Sequence, residues 1–92
     1  VEISFDPAKN KRNIAERGLN FEQVVEFDFE TAKVWQDTRK AYPDARFVAL
    51  GYLDVRLHVL IFGETAHGIR VISFRKANPR EGAKHGFTLT RN

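Results

Sequence analysis

The sequence predicts an α+β fold: a small antiparallel sheet of four to five strands with helices packed on one face, in the order β-α-α-β-β-β-β-α. Three observations predict it. Between residues 46 and 76, apolar and polar residues alternate in three runs separated by short turns. Near either end an Asx-Pro pair, Asp6-Pro7 and Asn78-Pro79, supplies a helix cap followed by a first-turn proline. At Thr31 the apolar spacing changes from helical to alternating.

Taken in order, Glu2–Phe5 alternates and reads as a short strand. Asp6 and Pro7 then open a mostly polar helix over Ala8–Arg17, which Gly18 ends as a C-cap. Asn20 caps a second helix, Phe21–Phe27, with Gln23 three residues on as the capping-box partner. Ala32–Gln36 is a strand, and Asp37–Asp44 is a connecting loop containing Pro43. Arg46–Tyr52, Val55–Phe62 and Ile69–Lys76 are strands so closely spaced that they must form an antiparallel meander. The last helix runs from Asn78-Pro79 to about His85, weakened by Gly82 and Gly86.

Ninety-two residues make one domain, 1–92, and its eight Phe, two Tyr and one Trp supply a core. With no Cys there is no disulfide framework, thiolate metal site or cysteine nucleophile, and the chain fits a reducing cytoplasm. No apolar run approaches the ~20 residues that span a bilayer, so no membrane association is expected. Three His without paired spacing make no metal site, and no cofactor is expected. The net charge of +3 is concentrated late: from Arg70 onward, six Lys/Arg stand against one Asp/Glu. Such a stretch favours a polyanion through counterion release.

The last hairpin sharpens this. Setting Phe62 opposite Ile69 pairs Leu57 with Phe74 and Val59 with Ile72 on an apolar face beneath the helices. The other face then carries Arg56 opposite Arg75 and His58 opposite Ser73, with Arg80 able to close over that end from the last helix. Opposed like charges disfavour a sheet, and an anion between them would relieve the repulsion. This inventory suits metal-free RNA cleavage. The 2′-OH must lose a proton, the leaving 5′-oxygen must gain one, and cations must hold the phosphorane. His58 would move the proton, and Arg75 or Arg56 would clamp the phosphate. The bland reading is a structural histidine and exposed edge charges. Arg70 falls on the helix-facing side opposite Ile61, either in a rim salt bridge or in contact with RNA.

A series of local patterns resembles one known family. Phe5-Asp6-Pro7, Lys9-Asn10, Asn13, Gly18 and Phe21-Glu22 resemble the opening of BrnT-family toxins. So do Arg46-Phe47-Val48-Ala49-Leu50-Gly51, Leu60-Ile61-Phe62, the stretch Ile69–Ala77, and Arg80-Glu81. The resemblance covers roughly residues 3–81. It implies a compact fold related to the RelE-like ribonucleases and growth inhibition through RNA cleavage. It also implies a cognate antitoxin of the ribbon-helix-helix type, and repression of the operon through operator DNA bound by the complex. The family's recurrent basic residues map onto Arg70, Arg75, Arg80 and Lys9. With the hairpin reading, this gives Arg75, His58, Arg56 and Arg80 as catalytic candidates, and Lys9, Arg70, Ser73 and Lys76 as RNA contacts. The chain departs from the family pattern at Glu16-Arg17, where Lys-His is usual, and after Glu81, where a basic, Tyr-containing helix is usual. The alternative reading is therefore a catalytically inactive binding module that acts as antitoxin partner and corepressor.

Overall fold

The computed structural model describes residues 2–92. Its elements are β1 (Glu2–Phe5), α1 (Pro7–Arg17), a 3-10 helix (Phe21–Glu26), β2 (Lys33–Gln36), β3 (Phe47–Leu53), β4 (Arg56–Glu64), β5 (Gly68–Lys76) and α2 (Pro79–Lys84). The five strands form one sheet in the order β1-β5-β4-β3-β2. The α+β class and the element order are those the sequence predicts. No described helix is long and apolar enough to cross a membrane.

Local chemistry sets the helix ends. The Asp6 carboxylate accepts from the Ala8 N–H at 2.9 Å, and Gly18 closes α1 at φ 68°, a left-handed conformation that costs glycine little. Asn20 with Gln23, and Asn78 with Glu81, form complete capping boxes. Two asparagines of α1 anchor its surroundings. Asn10 accepts from the Phe21 N–H at 2.8 Å, while buried Asn13 donates to the carbonyls of Leu19 (3.0 Å) and Phe74 (2.9 Å). Because Phe74 lies in β5, beyond the point where β1 ends, Asn13 ties α1 to the edge of that strand that β1 leaves unpaired.

Two features of the sheet differ from expectation. β1 runs parallel to β5 rather than antiparallel, because α1 and three further strands intervene before the chain returns to it. The helices also occupy both faces. On one, Leu19, Phe21, Val24 and Phe27 pack on Ala49, Leu60, Val71 and Phe74. On the other, Val48, Leu50, Tyr52, Leu57, Val59 and Ala77 form a second core with Phe87 and Leu89, below α2 and the tail. Gly51 shows how closely the first face is packed. A Cβ there would stand 2.8 Å from Ala32 Cβ and 2.9 Å from Phe27 Cζ.

The pairing of β4 with β5 also differs, and this decides where the functional residues point. The strands extend further into the turn than predicted, so that Glu64 pairs with Ile69 and Phe62 with Val71. That shift of two leaves the faces unchanged. Between Ile61 and Phe62, however, a β-bulge leaves Ile72 unpaired, and beyond it Ile61 meets Ser73, Leu60 meets Phe74, Val59 meets Arg75 and His58 meets Lys76. One extra residue turns every later side chain of β5 to the opposite face. The predicted pairs Arg56–Arg75 and His58–Ser73 therefore do not form.

Candidate active site

The bulge splits the predicted cluster in two. Arg75 and Ser73 share the α2 face with Val59 and Ile61, whereas His58 and Arg56 alternate onto the α1 face with Leu60. His58 is 3% exposed and lies against Phe74, with ring centroids 5.1 Å apart. Its Nδ1–H donates to the Arg56 carbonyl at 2.8 Å, and its Nε2 is buried without a partner among the described residues. It is a core histidine and cannot reach a phosphate at Arg75. Arg56 donates to the carbonyls of Leu57 and Ala77 and so pins the end of the sheet.

Burial lowers the His58 pKa from its ordinary 6.5, and the nearby Arg56 and Lys76 charges add to the effect. The unfolded chain therefore binds the proton more readily, and His58 contributes stability that is complete above about pH 6.5 and is lost as pH falls below it. Denaturant unfolding between pH 7.5 and 5 should show stability falling by at most ~1.4 kcal/mol per pH unit from this group. His58→Phe should flatten that slope. An unchanged slope in the variant would place the titration elsewhere.

On the other face, the Arg75 guanidinium grips Glu81 through two parallel bonds, Nη1 to Oε1 at 2.8 Å and Nη2 to Oε2 at 2.6 Å. Arg75 holds the Glu81 carboxyl at about 2, and Glu81 raises the Arg75 pKa in return. The carboxylate also closes the α2 capping box by accepting from the Asn78 N–H at 2.9 Å, so α2 fixes its position. One helical turn on, His85 stacks on Trp35 of β2, centroids 4.6 Å apart and planes 18° apart. These side chains line a groove of about 330 Å³ floored by Val48, Leu50, Val59 and Ile61. Its remaining wall is the start of the 37–46 loop. There Asp37 is buried and accepts from Arg39 Nε (2.9 Å) and Nη2 (2.8 Å), which holds its carboxyl below the usual range.

The groove thus joins a guanidinium, a carboxylate and an imidazole over an apolar floor. These groups can bind a phosphodiester and exchange protons with it. Arg75 was expected here from sequence; His85, Glu81, Trp35 and Arg39 were not. One signal could have found His85: it lies four residues after Glu81, on the same helical face. Arg80 is exposed in the first turn of α2 and is not among the residues lining the groove. Lys76, exposed, alternates onto the His58 face. Arg70 pairs with Gly63 and keeps the Ile61 face on which it was predicted, the face that α2 covers, while Val71 beside it belongs to the first core. With Lys9 it lines a separate depression. Among the described residues no three His, Asp or Glu converge as metal ligands.

A small α+β domain whose groove joins a guanidinium, a carboxylate and an imidazole is of a kind suited to a phosphodiester ligand. Residues 5–81 match the family model described as the ribonuclease toxin, BrnT, of type II toxin-antitoxin systems. The chain belongs to the BrnT family. It is similar to the crystal structure of the Brucella abortus ribonuclease toxin BrnT, with 33% identity and a TM-score of 0.66 over 83% of this chain and 95% of that one. No curated protein sequence matches it at a significant level.

Proposed function

We propose that this chain cuts RNA in the Arg75 groove without a metal ion, by attack of a ribose 2′-oxygen on the adjacent phosphorus. The 2′-OH loses its proton, the new O–P bond forms, and the 5′-oxygen departs with a proton. The products are a 2′,3′-cyclic phosphate and a 5′-hydroxyl. Arg75 holds the phosphate oxygens through the Nε side of its guanidinium, Glu81 keeps the guanidinium in place through Nη1 and Nη2, and His85 transfers protons from its seat on Trp35. Ser73, on the same face, and Lys9 and Arg70 contact the strand. The observation that carries this reading is the convergence of Arg75, Glu81 and His85 in one groove.

An antitoxin with a ribbon-helix-helix domain would neutralise the toxin, and their complex would bind operator DNA and repress the operon. This part rests on the family resemblance. A second reading, an inactive partner and corepressor, is favoured by one observation: Glu81 already occupies both arms of the Arg75 fork.

Incubation of the purified chain with RNA in EDTA separates the two. Fragments ending in 2′,3′-cyclic phosphate are expected. Intact RNA at high protein concentration, with tight antitoxin binding retained, would establish the inactive partner instead.

A further inference from the structure

The groove at Arg75 continues past the 37–46 loop. A shallow depression in the loop shares Gln36, Asp37 and Thr38 with the groove, and shares Tyr42, Asp44, Ala45 and Arg46 with a further hollow. That hollow brings together Lys9, Arg46 and Arg70. A fourth depression shares Lys9 and Ile72 with it and adds Arg12 and Arg17 from α1. The sequence of depressions thus crosses from the α2 face, over the part of β5 that α1 borders, onto α1.

Its cations are unlike those the fold uses. The ion pairs of the described residues engage Arg39, Arg75 and Arg91. Lys9, Arg12, Arg17, Arg46 and Arg70 make none, although three carboxylates, Glu16, Asp44 and Glu64, line the same two depressions. Five cations drawn from α1, the loop and β5 therefore line adjoining depressions without a carboxylate partner. Arg46 lies over the Tyr42 ring at 4.2 Å, and such a pair offers a flat surface to a nucleobase.

We propose that these depressions form a second RNA site, in which Arg46, Arg70, Lys9, Arg12 and Arg17 take phosphates of the single strand flanking the one held at Arg75. The inference rests on the ribonuclease reading and extends it, making the substrate a single-stranded segment of several nucleotides. Continuity with the Arg75 groove favours RNA over an acidic protein segment. So does the position of the exposed apolar side chains that could anchor a protein partner: Ile14, Val25, Phe29, Val34 and Val55 line none of these depressions, and Trp35 lines only the Arg75 groove.

The test is binding of an all-deoxy oligonucleotide of about 12 nucleotides, which lacks the 2′-OH and cannot be cleaved by this chemistry. The intact chain and the double variant Arg12→Gln/Arg17→Gln are titrated over a range of salt concentrations. Each phosphate contact on a single strand contributes ~0.7 to the slope of log affinity against log salt, so the variant's slope should be shallower by roughly 1.4. Its affinity at 0.1 M salt should be roughly 25-fold weaker, with the two lines meeting near 1 M. Equal slopes, or no binding by the parent chain, would overturn the track. So would displacement of the oligonucleotide by an equal concentration of a glutamate peptide of the same charge, which would identify a protein-docking surface. The shallower slope together with uncut RNA would end the ribonuclease reading and leave the track standing.

Discussion

His85→Gln should slow RNA cleavage by the purified chain between about 10²- and 10⁴-fold, the range for losing one general acid–base group. Gln keeps a similar length and a polar end, but it cannot exchange protons near neutral pH, as histidine can. His85 belongs to a short helix end and is only partly buried, so the variant should fold with unchanged stability. RNA affinity, measured on the non-cleavable oligonucleotide, should also change little, which places the loss in the chemical step rather than in binding. The residue's seat supports this role. Trp35 stacks on the ring from β2, and α2 carries Glu81 one turn earlier, so the imidazole is held in the groove from two sides. Cleavage at the parent rate by a folded His85→Gln chain would remove the imidazole from the chemistry.

That histidine was passed over in the sequence, while the one singled out there, His58, is buried. The reason is physical. Helix caps are local, so Asp6, Gly18, Asn20 with Gln23, and Asn78 with Glu81 could each be read from a few adjacent residues. Strand positions were nearly as legible, since alternation over Arg56–Glu64 needs no partner to be recognised. The facing of a strand is a property of a pair. A single unpaired Ile72 reverses Ser73 and Arg75 relative to His58, and both registers bury comparable apolar side chains. The sequence also holds apolar residues on both faces of β3 and β4, a pattern that fits a sheet covered on both sides, but short strands do not reveal which helix covers which face. The parallel return of β1 beside β5 and the Arg75–Glu81 pair, which joins a strand to a helix, likewise depend on tertiary contact. Of the basic residues singled out late in the chain, Arg75 lines the groove, whereas Arg70, Lys76 and Arg80 do not.

Arg75→Ala should lower RNA cleavage by roughly 10²- to 10³-fold, as expected for removing a donor aimed at developing phosphorane charge. Induced alone in bacteria, the parent chain should arrest growth and the variant should not. The guanidinium matters for its shape as well as its charge. Glu81 takes the Nη1–Nη2 pair at 2.8 and 2.6 Å, which leaves the Nε–H and the second Nη2–H as a parallel pair for two oxygens of a phosphate. Arg75→Lys should therefore recover only part of the rate, since an ammonium cannot form the fork. Glu81 gives an independent check that the substitution acts where intended. With Arg75 present, its carboxyl titrates at about 2 in the folded chain against an ordinary 4.5. The pair thus stabilises the fold above about pH 4.5, and that contribution is lost as pH falls toward 2. Without Arg75, the Glu81 carboxyl should titrate closer to its ordinary value, and this acid-range loss should shrink. A variant that folds, shows the Glu81 change and still arrests growth would separate the ion pair from the toxin's chemistry and move the phosphate clamp to another cation of the groove.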